Sequence, residues 1–235
     1  MATYLERVLA KLTEFEGSVP WMYRDTAGHV TVGVGLMLPS AEAATALPFQ
    51  VAGQAIRSEQ IASEFHRVNS LPPGRAALFY RQVNSPELPS STIEERLRSV
   101  LLDMEAALQR HLPPFASLPD PAKIALLDMA YNLGVTGLVH GYPRLLAAIR
   151  SQNWTEAAAQ CLRHGISTDR NAWTRLQFLS VATVAGVITG LQAVAETLRP
   201  MLRWTVIAAG AATLAGIAIY LGRRRTTRTT TAKRR

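Results

Sequence analysis

Residues 16–35 read EGSVPWMYRDTAGHVTVGVG, and this stretch sets the fold expected for the first part of the chain. Ahead of it, apolar residues recur at helical spacing, which predicts an amphipathic helix that ends at Glu16 and is closed by Gly17. The apolar residues are Leu5, Val8, Leu9, Leu12 and Phe15. Residues 25–28 (DTAG) have the composition of a hairpin turn. From Val30 to Leu36, apolar residues alternate with small or polar ones, which predicts a half-buried strand.

This pattern gives three polar groups the opportunity to meet across a cleft: Glu16 at a helix end, Asp25 on the turn and Thr31 on the strand. Cleavage of a glycosidic bond requires a carboxylic acid that protonates the leaving oxygen, and a second group that handles water or the oxocarbenium-like charge. An ionised Asp on a solvated turn can orient water, and a threonine hydroxyl can hold it. Most Glu/Asp pairs with this spacing, however, are ordinary helix-end and turn residues.

The full string changes that balance. Glu-Gly, followed by Arg-Asp-Thr-x-Gly-x-x-Thr-x-Gly-x-Gly, resembles the phage-type lysozymes of glycoside hydrolase family 24, whose motif is a catalytic Glu, then Asp, then Thr on a small β-sheet. A second block resembles the same family in order and separation. It consists of residues 126–134 (LLDMAYNLG), Thr136-Gly137 and residues 153–158 (NWTEAA). The resemblance covers residues 3–177.

The resemblance implies a reaction and a fold. Glu16 is expected to be the general acid, and Asp25 with Thr31 to position the water that attacks from the opposite face. The implied activity is that of an endo-acting muramidase, which hydrolyses the β-1,4 bond between N-acetylmuramic acid and N-acetylglucosamine in peptidoglycan. The implied fold is α+β and mostly helical, with a small β-hairpin lobe and a helical lobe flanking the cleft. No cofactor and no metal ion are expected.

The same resemblance indicates further site residues. Asn132 is expected to hydrogen-bond saccharide, and Tyr142 is expected to line the cleft. In this family an arginine near the C-terminal end of the domain usually pairs with the catalytic Glu. Arg170 and Arg175 both fit that description, and their spacing does not choose between them.

The chain also departs from the family pattern. Leu36 stands where the family often has a histidine that makes an ion pair, so a stabilising contact is expected to be missing. The Pro-rich residues 38–91 exceed what a minimal member needs and are interpreted as a variable insertion of short helices and loops, with a helical piece at 58–68. The five histidines show no metal-ligand spacing. Cys161, the single cysteine, excludes an intrachain disulfide and is predicted to be a buried, unreactive thiol.

Helix signals follow the insertion. Residues 92–95 (TIEE) form a capping-box pattern, which predicts a helix start at Thr92. Asp120-Pro121 predicts the cap and first-turn proline of the next helix, which Gly134 ends. Because that helix is apolar nearly all round, it is predicted to be the central buried helix. Two shorter helices are predicted near residues 141–150 and 153–163.

Beyond the domain lie two uncharged apolar runs, residues 178–195 and 204–222. The second can cross a hydrocarbon core of about 30 Å as a helix, and Trp204 and Tyr220 stand near its ends as interfacial aromatics. The first is more polar, and is either a second span or the last helix of the soluble domain. Residues 223–235 hold seven basic residues and account for most of the formal net charge of +8.

Because a basic tail prefers the cytoplasm, two spans with both ends in the cytoplasm are favoured. The expected organisation is a lysozyme-like domain at residues 1–177, membrane segments at 178–222 and a tail at 223–235. The N-terminus lacks an apolar h-region, so no cleavable secretory signal is expected. The tail is interpreted first as a topology anchor, and second as a binder of anionic lipid or nucleic acid.

The expected location is the inner membrane of a host cell, with action on the periplasmic wall, and a virion-associated location is the alternative. The expected partners are peptidoglycan glycan strands and, through residues 178–222, the membrane; no specific nucleic acid is expected. The leading interpretation is a phage or prophage endolysin. The alternatives are a peptidoglycan-binding or virion structural protein, and a protein that disrupts the inner membrane.

Overall fold

The computed structural model describes residues 2–184 and residue 186. Among these residues, those up to Ala182 form one compact unit. The second apolar run and the basic tail lie outside the described residues. The expectations placed on them stay predictions, as does the domain boundary at residue 177.

A helix and a small sheet begin the chain. Helix α1 (Tyr4–Glu16) is followed by an antiparallel sheet of β1 (Val19–Arg24), β2 (Val30–Gly33) and β3 (Leu36–Leu38), in that spatial order. Next come α2 (Ala41–Thr45), the hairpin of β4 (Gln50–Val51) and β5 (Gln54–Ala55), α3 (Ser58–Ser70) and α4 (Ala77–Tyr80). Helix α2 packs on β3 and α3, whereas α3 and α4 pack on β1. The sheet therefore belongs to a larger first lobe than the small hairpin lobe predicted.

The second lobe is helical. It contains α5 (Ser90–His111), a 3-10 helix (Pro113–Ser117), α6 (Asp120–Gly141), α7 (Pro143–Arg150), α8 (Trp154–Gln160) and a helix α9 at residues 168–184. Helix α6 contacts α1, α5 and α7, and α7 packs on α8. The predicted class, α+β and mostly helical with two lobes, is confirmed.

Helix α6 is the centre of the second lobe. Every side chain from Ile124 to Ala130 is buried, which confirms the prediction of a buried apolar helix. The backbone leaves helical geometry at Gly134 (φ 70°, ψ 155°) and is helical again up to Gly141. Within the described residues, α6 is the one helix long and apolar enough to cross a membrane by length and composition, and half of its apolar window is buried inside the structure.

One predicted helix start is wrong, and a second is right in position but not in its cap. Helix α5 begins at Ser90, and the backbone carbonyl of Pro89 accepts the Ile93 N–H at 3.0 Å. Thr92 therefore lies inside the first turn, where it is too late in the chain to cap the helix. Helix α6 begins at Asp120 with Pro121 in its first turn, as predicted, but Pro119 and not Asp120 is the capping residue. In both cases a proline with extended backbone precedes the helix and fixes its start.

The predicted strand from Val30 to Leu36 is also wrong in extent. Strand β2 ends at Gly33 and β3 begins at Leu36. Gly33 (φ 66°) and Gly35 (φ 70°) adopt the left-handed region that favours glycine, so the chain reverses between them. All four residues of β2 are buried, because β1 and β3 flank this strand and α3 packs on it. The expectation of a half-buried strand is therefore corrected.

The end of the compact unit is helical. Helix α8 stops at Gln160, earlier than the predicted residue 163, because the chain turns to bring Arg163 into the core. Helix α9 continues into the first apolar run, where Phe178 and Val181 are buried in the same hydrophobic core. For residues 187–195, the choice between a membrane span and a soluble helix stays open.

The turn at Gly33 should be sensitive to substitution of this glycine. A Cβ atom at Gly33 would lie 3.0 Å from Ile93 Cγ2 and on a backbone with φ 66°. We expect Gly33→Ala to lower the free energy of unfolding by about 1–3 kcal/mol. The matched control is Gly137→Ala in helical backbone, where the new Cβ atom would make an ordinary 3.5 Å contact with Leu133. Urea unfolding that gave both variants the same midpoint would contradict the prediction.

Candidate active site

Glu16 is fixed at the end of α1 by the way this helix begins and ends. The Thr3 hydroxyl accepts the Glu6 N–H at 3.3 Å, and the Glu6 carboxylate accepts the Thr3 N–H at 2.8 Å, which together cap the start. Gly17, with φ 74°, closes the end and turns the chain toward β1. The side chain of Glu16 remains 32% exposed, so one of its faces is open to a ligand.

Arg170 binds Glu16 directly. Its Nη1 donates to Oε1 of Glu16 at 2.6 Å, and its Nε donates to Oδ1 of Asp128 at 2.8 Å. With the described residues, Oε2 of Glu16 makes no hydrogen bond. Arg175 is exposed, and it lies on the wall of a different cavity beside Cys161. Of the two candidate arginines, the structure therefore brings Arg170 to Glu16.

Asp128 is the second carboxylate in this cluster. Its Oδ2 accepts a hydrogen bond from Arg163 Nη2 at 2.6 Å and lies 2.7 Å from the Thr174 hydroxyl. Arg163 Nη2 also donates to Thr174 Oγ1 at 2.6 Å. The side chains of Asp128 and Arg163 are 1% and 0% exposed. Buried charges are costly unless they are paired and hydrogen-bonded, and these are both.

The charge of Arg170 is secured by its surroundings. Burial alone lowers the pKa of the guanidinium, but Asp128 and Glu16 outweigh this effect and raise the pKa above its ordinary value. The guanidinium carbon lies 5.2 Å from the centroid of the Phe15 ring, and the Trp173 ring meets Phe15 edge-on at 5.6 Å. An aromatic face thus covers one side of the cation.

Asp25 is oriented by the turn between β1 and β2. Its Oδ1 accepts the His29 N–H at 2.8 Å, and its own N–H donates to the His29 carbonyl at 3.0 Å. Its Oδ2 lies 3.6 Å from His29 Nδ1 and 3.5 Å from Thr31 Oγ1. The turn therefore brings Asp25 and Thr31 together, and the Asp25 side chain stays 32% exposed.

Thr31 is more buried than the prediction of a half-buried strand implied. The residue is 3% exposed, and its hydroxyl can donate either to Asp25 or to the His29 carbonyl at 3.3 Å. The reason is the burial of both faces of β2. The hydroxyl therefore contacts the Asp25 carboxylate and the backbone of the turn that carries it.

Part of the Pro-rich stretch, residues 38–91, forms hydrogen bonds with this turn. Arg24 Nε donates to the Gly28 carbonyl at 2.8 Å, and Arg24 Nη1 donates to the Leu71 carbonyl at 2.7 Å. The Gly74 N–H donates to the Asp25 carbonyl at 3.0 Å and lies 3.3 Å from the Arg24 carbonyl. We call residues 71–74 the brace. It fixes the backbone that carries Asp25.

The brace is itself anchored in the first lobe. The buried Tyr80 donates its hydroxyl to the Pro72 carbonyl at 2.7 Å. Arg67 Nη2 donates to the Tyr80 carbonyl at 2.6 Å and forms a bidentate pair with Glu64 at 2.7 Å. Helix α3 therefore supports the brace through a chain of hydrogen bonds.

Tyr23 and Tyr131 are two tyrosines whose pKa values are changed by the charged groups of the site. Burial raises the pKa of Tyr23, and the charges of Asp25 and Glu16 raise it further, so both carboxyl groups act on one phenol. Burial raises the pKa of Tyr131 to about 12, with Glu16 adding to the effect and Arg170 opposing it. The Tyr131 hydroxyl donates to the Val34 carbonyl. Both phenols therefore remain protonated at neutral pH.

Asn132 and Tyr142 are not part of this hydrogen-bonded cluster. Asn132 is exposed on α6, and Tyr142 is half-buried where α6 ends, with its N–H donating to the Leu138 carbonyl at 3.1 Å. The described contacts join neither residue to Glu16, Asp25 or Thr31. That they bind saccharide stays a prediction.

Several residues of the site had no function predicted from sequence: Tyr23, Asp128, Tyr131, Arg163 and Thr174. One signal for Asp128 was available, since a carboxyl group inside a helix that is apolar all round must find a buried partner. The partners themselves, 35 and 42 residues further along the chain, leave no local pattern. The two tyrosines look like ordinary amphipathic core residues in the sequence.

Two other sequence expectations concern residues outside the cluster. Cys161 is buried and its thiol donates to the Ala158 carbonyl at 3.4 Å, which confirms the predicted burial; burial also raises the pKa of the thiol. Leu36 lines a mainly apolar cavity of about 410 Å³ together with Val100 and Met104 of α5. Leu36 therefore lies in mainly apolar surroundings.

No protein-family model matches this chain, and no curated protein matches it. Among solved structures, the chain is similar to a crystal structure of a P22 lysozyme mutant, with 17% sequence identity and a TM-score of 0.46. The match covers 76% of this chain and 99% of that chain.

The two arginines provide a matched test of the buried cluster. We expect Arg170→Met to lower the free energy of unfolding by about 1.5–3 kcal/mol, because it removes the cation shared by Asp128 and Glu16 while Asp128 keeps Arg163. Arg175→Met removes an exposed charge and should change it by no more than about 0.5 kcal/mol. Chemical unfolding followed by circular dichroism measures both. Equal losses in the two variants would show that the Glu16–Arg170–Asp128 contacts do not stabilise the fold.

Proposed function

We propose that this protein is a glycoside hydrolase, specifically a muramidase that cleaves the β-1,4 bond between N-acetylmuramic acid and N-acetylglucosamine in peptidoglycan. The observation that carries the proposal is that two partly exposed carboxyl groups are each held by fixed partners: Glu16 by Arg170 at 2.6 Å, and Asp25 by the His29 N–H at 2.8 Å. The charges of both also raise the pKa of Tyr23. Two oriented carboxyl groups around one cleft are what glycosidic bond cleavage requires. The resemblance of residues 16–35 to the family 24 motif supports the same reaction.

In this proposal the two oxygen atoms of Glu16 have separate tasks. Oε1 is occupied by Arg170 at 2.6 Å, so the proton for the leaving glycosidic oxygen belongs on Oε2. The Arg170 contact fixes the rotation of the carboxyl group and so aims Oε2. Positioning of this kind contributes to catalysis because it removes the need to find the reactive orientation at each turnover.

Asp25 handles the water in this proposal. Its Oδ1 is committed to the His29 N–H, whereas Oδ2 is available to accept a hydrogen bond from water. Thr31 lies 3.5 Å from Oδ2 and keeps the carboxylate turned toward the cleft. The water then attacks the sugar on the face opposite the leaving group and gives up a proton to Asp25 Oδ2, as Glu16 donates its own proton to the leaving glycosidic oxygen. Asn132 and Tyr142 are proposed to bind neighbouring saccharide units.

The setting is proposed from sequence. The apolar residues beyond the compact unit, up to residue 222, would hold the enzyme at the inner membrane of the host cell, and the substrate would be the periplasmic cell wall. A phage or prophage endolysin is the biological function that this arrangement favours. Protease protection of the basic tail in fractionated cells would test the orientation, and accessibility of residues 223–235 only from the outside would contradict it.

Removal of the proposed acid should abolish cleavage. We expect Glu16→Gln to lower kcat on purified sacculi by about 10²–10⁴-fold, because an amide cannot protonate the leaving oxygen. Glu14→Gln is the matched control, since Glu14 lies on the same helix with a side chain 63% exposed and only Lys11 as its partner. Release of reducing sugar ends is the measurement. Equal release by the two variants would refute the assignment, and binding to sacculi without product by the wild type would favour the peptidoglycan-binding alternative.

Thr31 allows a second test that separates its hydroxyl from its volume. Thr31→Val keeps the shape and removes the hydroxyl group, so we expect kcat to fall by about 10–100-fold as the Asp25 carboxylate loses its neighbour. Thr31→Ser keeps the hydroxyl group and should retain activity within about threefold. Both variants need matching thermal unfolding curves. A Val variant as active as the Ser variant would mean that Thr31 serves packing only.

A further inference from the structure

We propose that Asp128 is a positioning residue, which sets the orientation of Arg170 and through it the direction of the Glu16 carboxyl group. This inference rests on the proposed function for its catalytic consequence. Asp128 is 1% exposed on the central helix α6 and contacts Arg170 but not Glu16. It therefore acts on the site only through another side chain.

The shape of the guanidinium group makes this control effective. Arg170 offers Nε to Asp128 at 2.8 Å and Nη1 to Glu16 at 2.6 Å. Because the guanidinium group is planar and its donors have fixed directions, holding the Nε edge determines where Nη1 points. Glu16 itself is 32% exposed and would otherwise sample several rotamers.

Asp128 is in turn locked from its other side. Arg163 Nη2 donates to Asp128 Oδ2 at 2.6 Å, and the Thr174 hydroxyl lies 2.7 Å from the same oxygen. Arg163 also donates from Nη1 to the Asp128 backbone carbonyl at 3.3 Å. Since Arg170 is shared with Glu16, Arg163 supplies the second positive charge that balances the two carboxylates. The second arginine fixes the carboxylate in place, as a positioning function requires.

Two double variants separate positioning from charge balance. Asp128→Asn/Arg163→Met and Asp128→Leu/Arg163→Met both remove the buried ion pair and leave the same net charge beside Glu16. Asn keeps an oxygen that accepts the Arg170 Nε–H, whereas Leu has a similar branched shape without an acceptor. Replacement of a buried ion pair by apolar groups is often tolerated, and thermal unfolding of the full-length chain in detergent checks that both variants fold.

The expected result is a split between the two variants. We expect the Leu variant to lose about 10–100-fold in kcat on sacculi with KM changed by less than about twofold, because Glu16 is misdirected while the saccharide surface is intact. The Asn variant should stay within about threefold of wild type. Equal kcat values for the two folded variants would overturn the proposal.

A second comparison tests whether the effect of Asp128 passes through Arg170. In an Arg170→Met background, each of the two double variants should have the same kcat as Arg170→Met alone, because the effect of Asp128 on Glu16 passes through Arg170. A further loss of the same size as in the wild-type background would overturn the proposal. Asp128→Asn/Arg163→Met in this background serves as the folded reference.

A spectroscopic readout distinguishes failure of the positioning inference from failure of the proposed function. In the chain labelled with ¹⁵N-arginine, the Arg170 Nε–Hε signal is assigned by its loss in Arg170→Met. It should persist with slow solvent exchange in the Asn variant, disappear or shift in the Leu variant, and respond to Glu16→Gln. An unchanged signal in the Leu variant would overturn positioning. Wild-type protein that cleaves no glycan would remove the muramidase proposal, while this signal still decides how Arg170 is held.

Discussion

The carboxylate of Asp128, buried in the apolar helix α6, is the constraint on which the rest of this site depends. A carboxylate cannot remain unpaired in the core, and Arg163 and Arg170, from the last part of the compact unit, are buried beside it as its partners. Arg170 then reaches Glu16, which is 154 residues away along the chain. One buried charge thus ties together the end of α1, the centre of α6 and the start of α9.

The two halves of the site are assembled in different ways. Asp25 is placed by its own turn, through hydrogen bonds to His29 and the nearby Thr31 hydroxyl. Glu16 is placed by long-range contacts that exist only when the whole helical lobe has formed. The locally placed Asp25 and the Glu16 placed by long-range contacts both act on Tyr23, because the charge of each raises the pKa of its phenol.

This difference explains how much could be predicted from sequence. The end of α1, the hairpin turn and the candidates Glu16, Asp25 and Thr31 all follow from local periodicity and motif spacing, as does the burial of α6. The choice between Arg170 and Arg175 could not be made, because it depends on which face of α9 meets α1. The burial of Thr31 was also beyond reach, since it arises from α3 packing on β2, and alternation along a strand does not reveal whether its second face is covered.

The brace has a consequence for how this chain could have been put together. Residues 71–74 lie in the Pro-rich part of the first lobe, and they hydrogen-bond to the Arg24 side chain and to the backbone carbonyls of Arg24 and Asp25. A region added to enlarge a lobe would normally be expendable. Here residues 71–74 support the turn that carries Asp25, so this stretch cannot be removed or exchanged without loosening that turn.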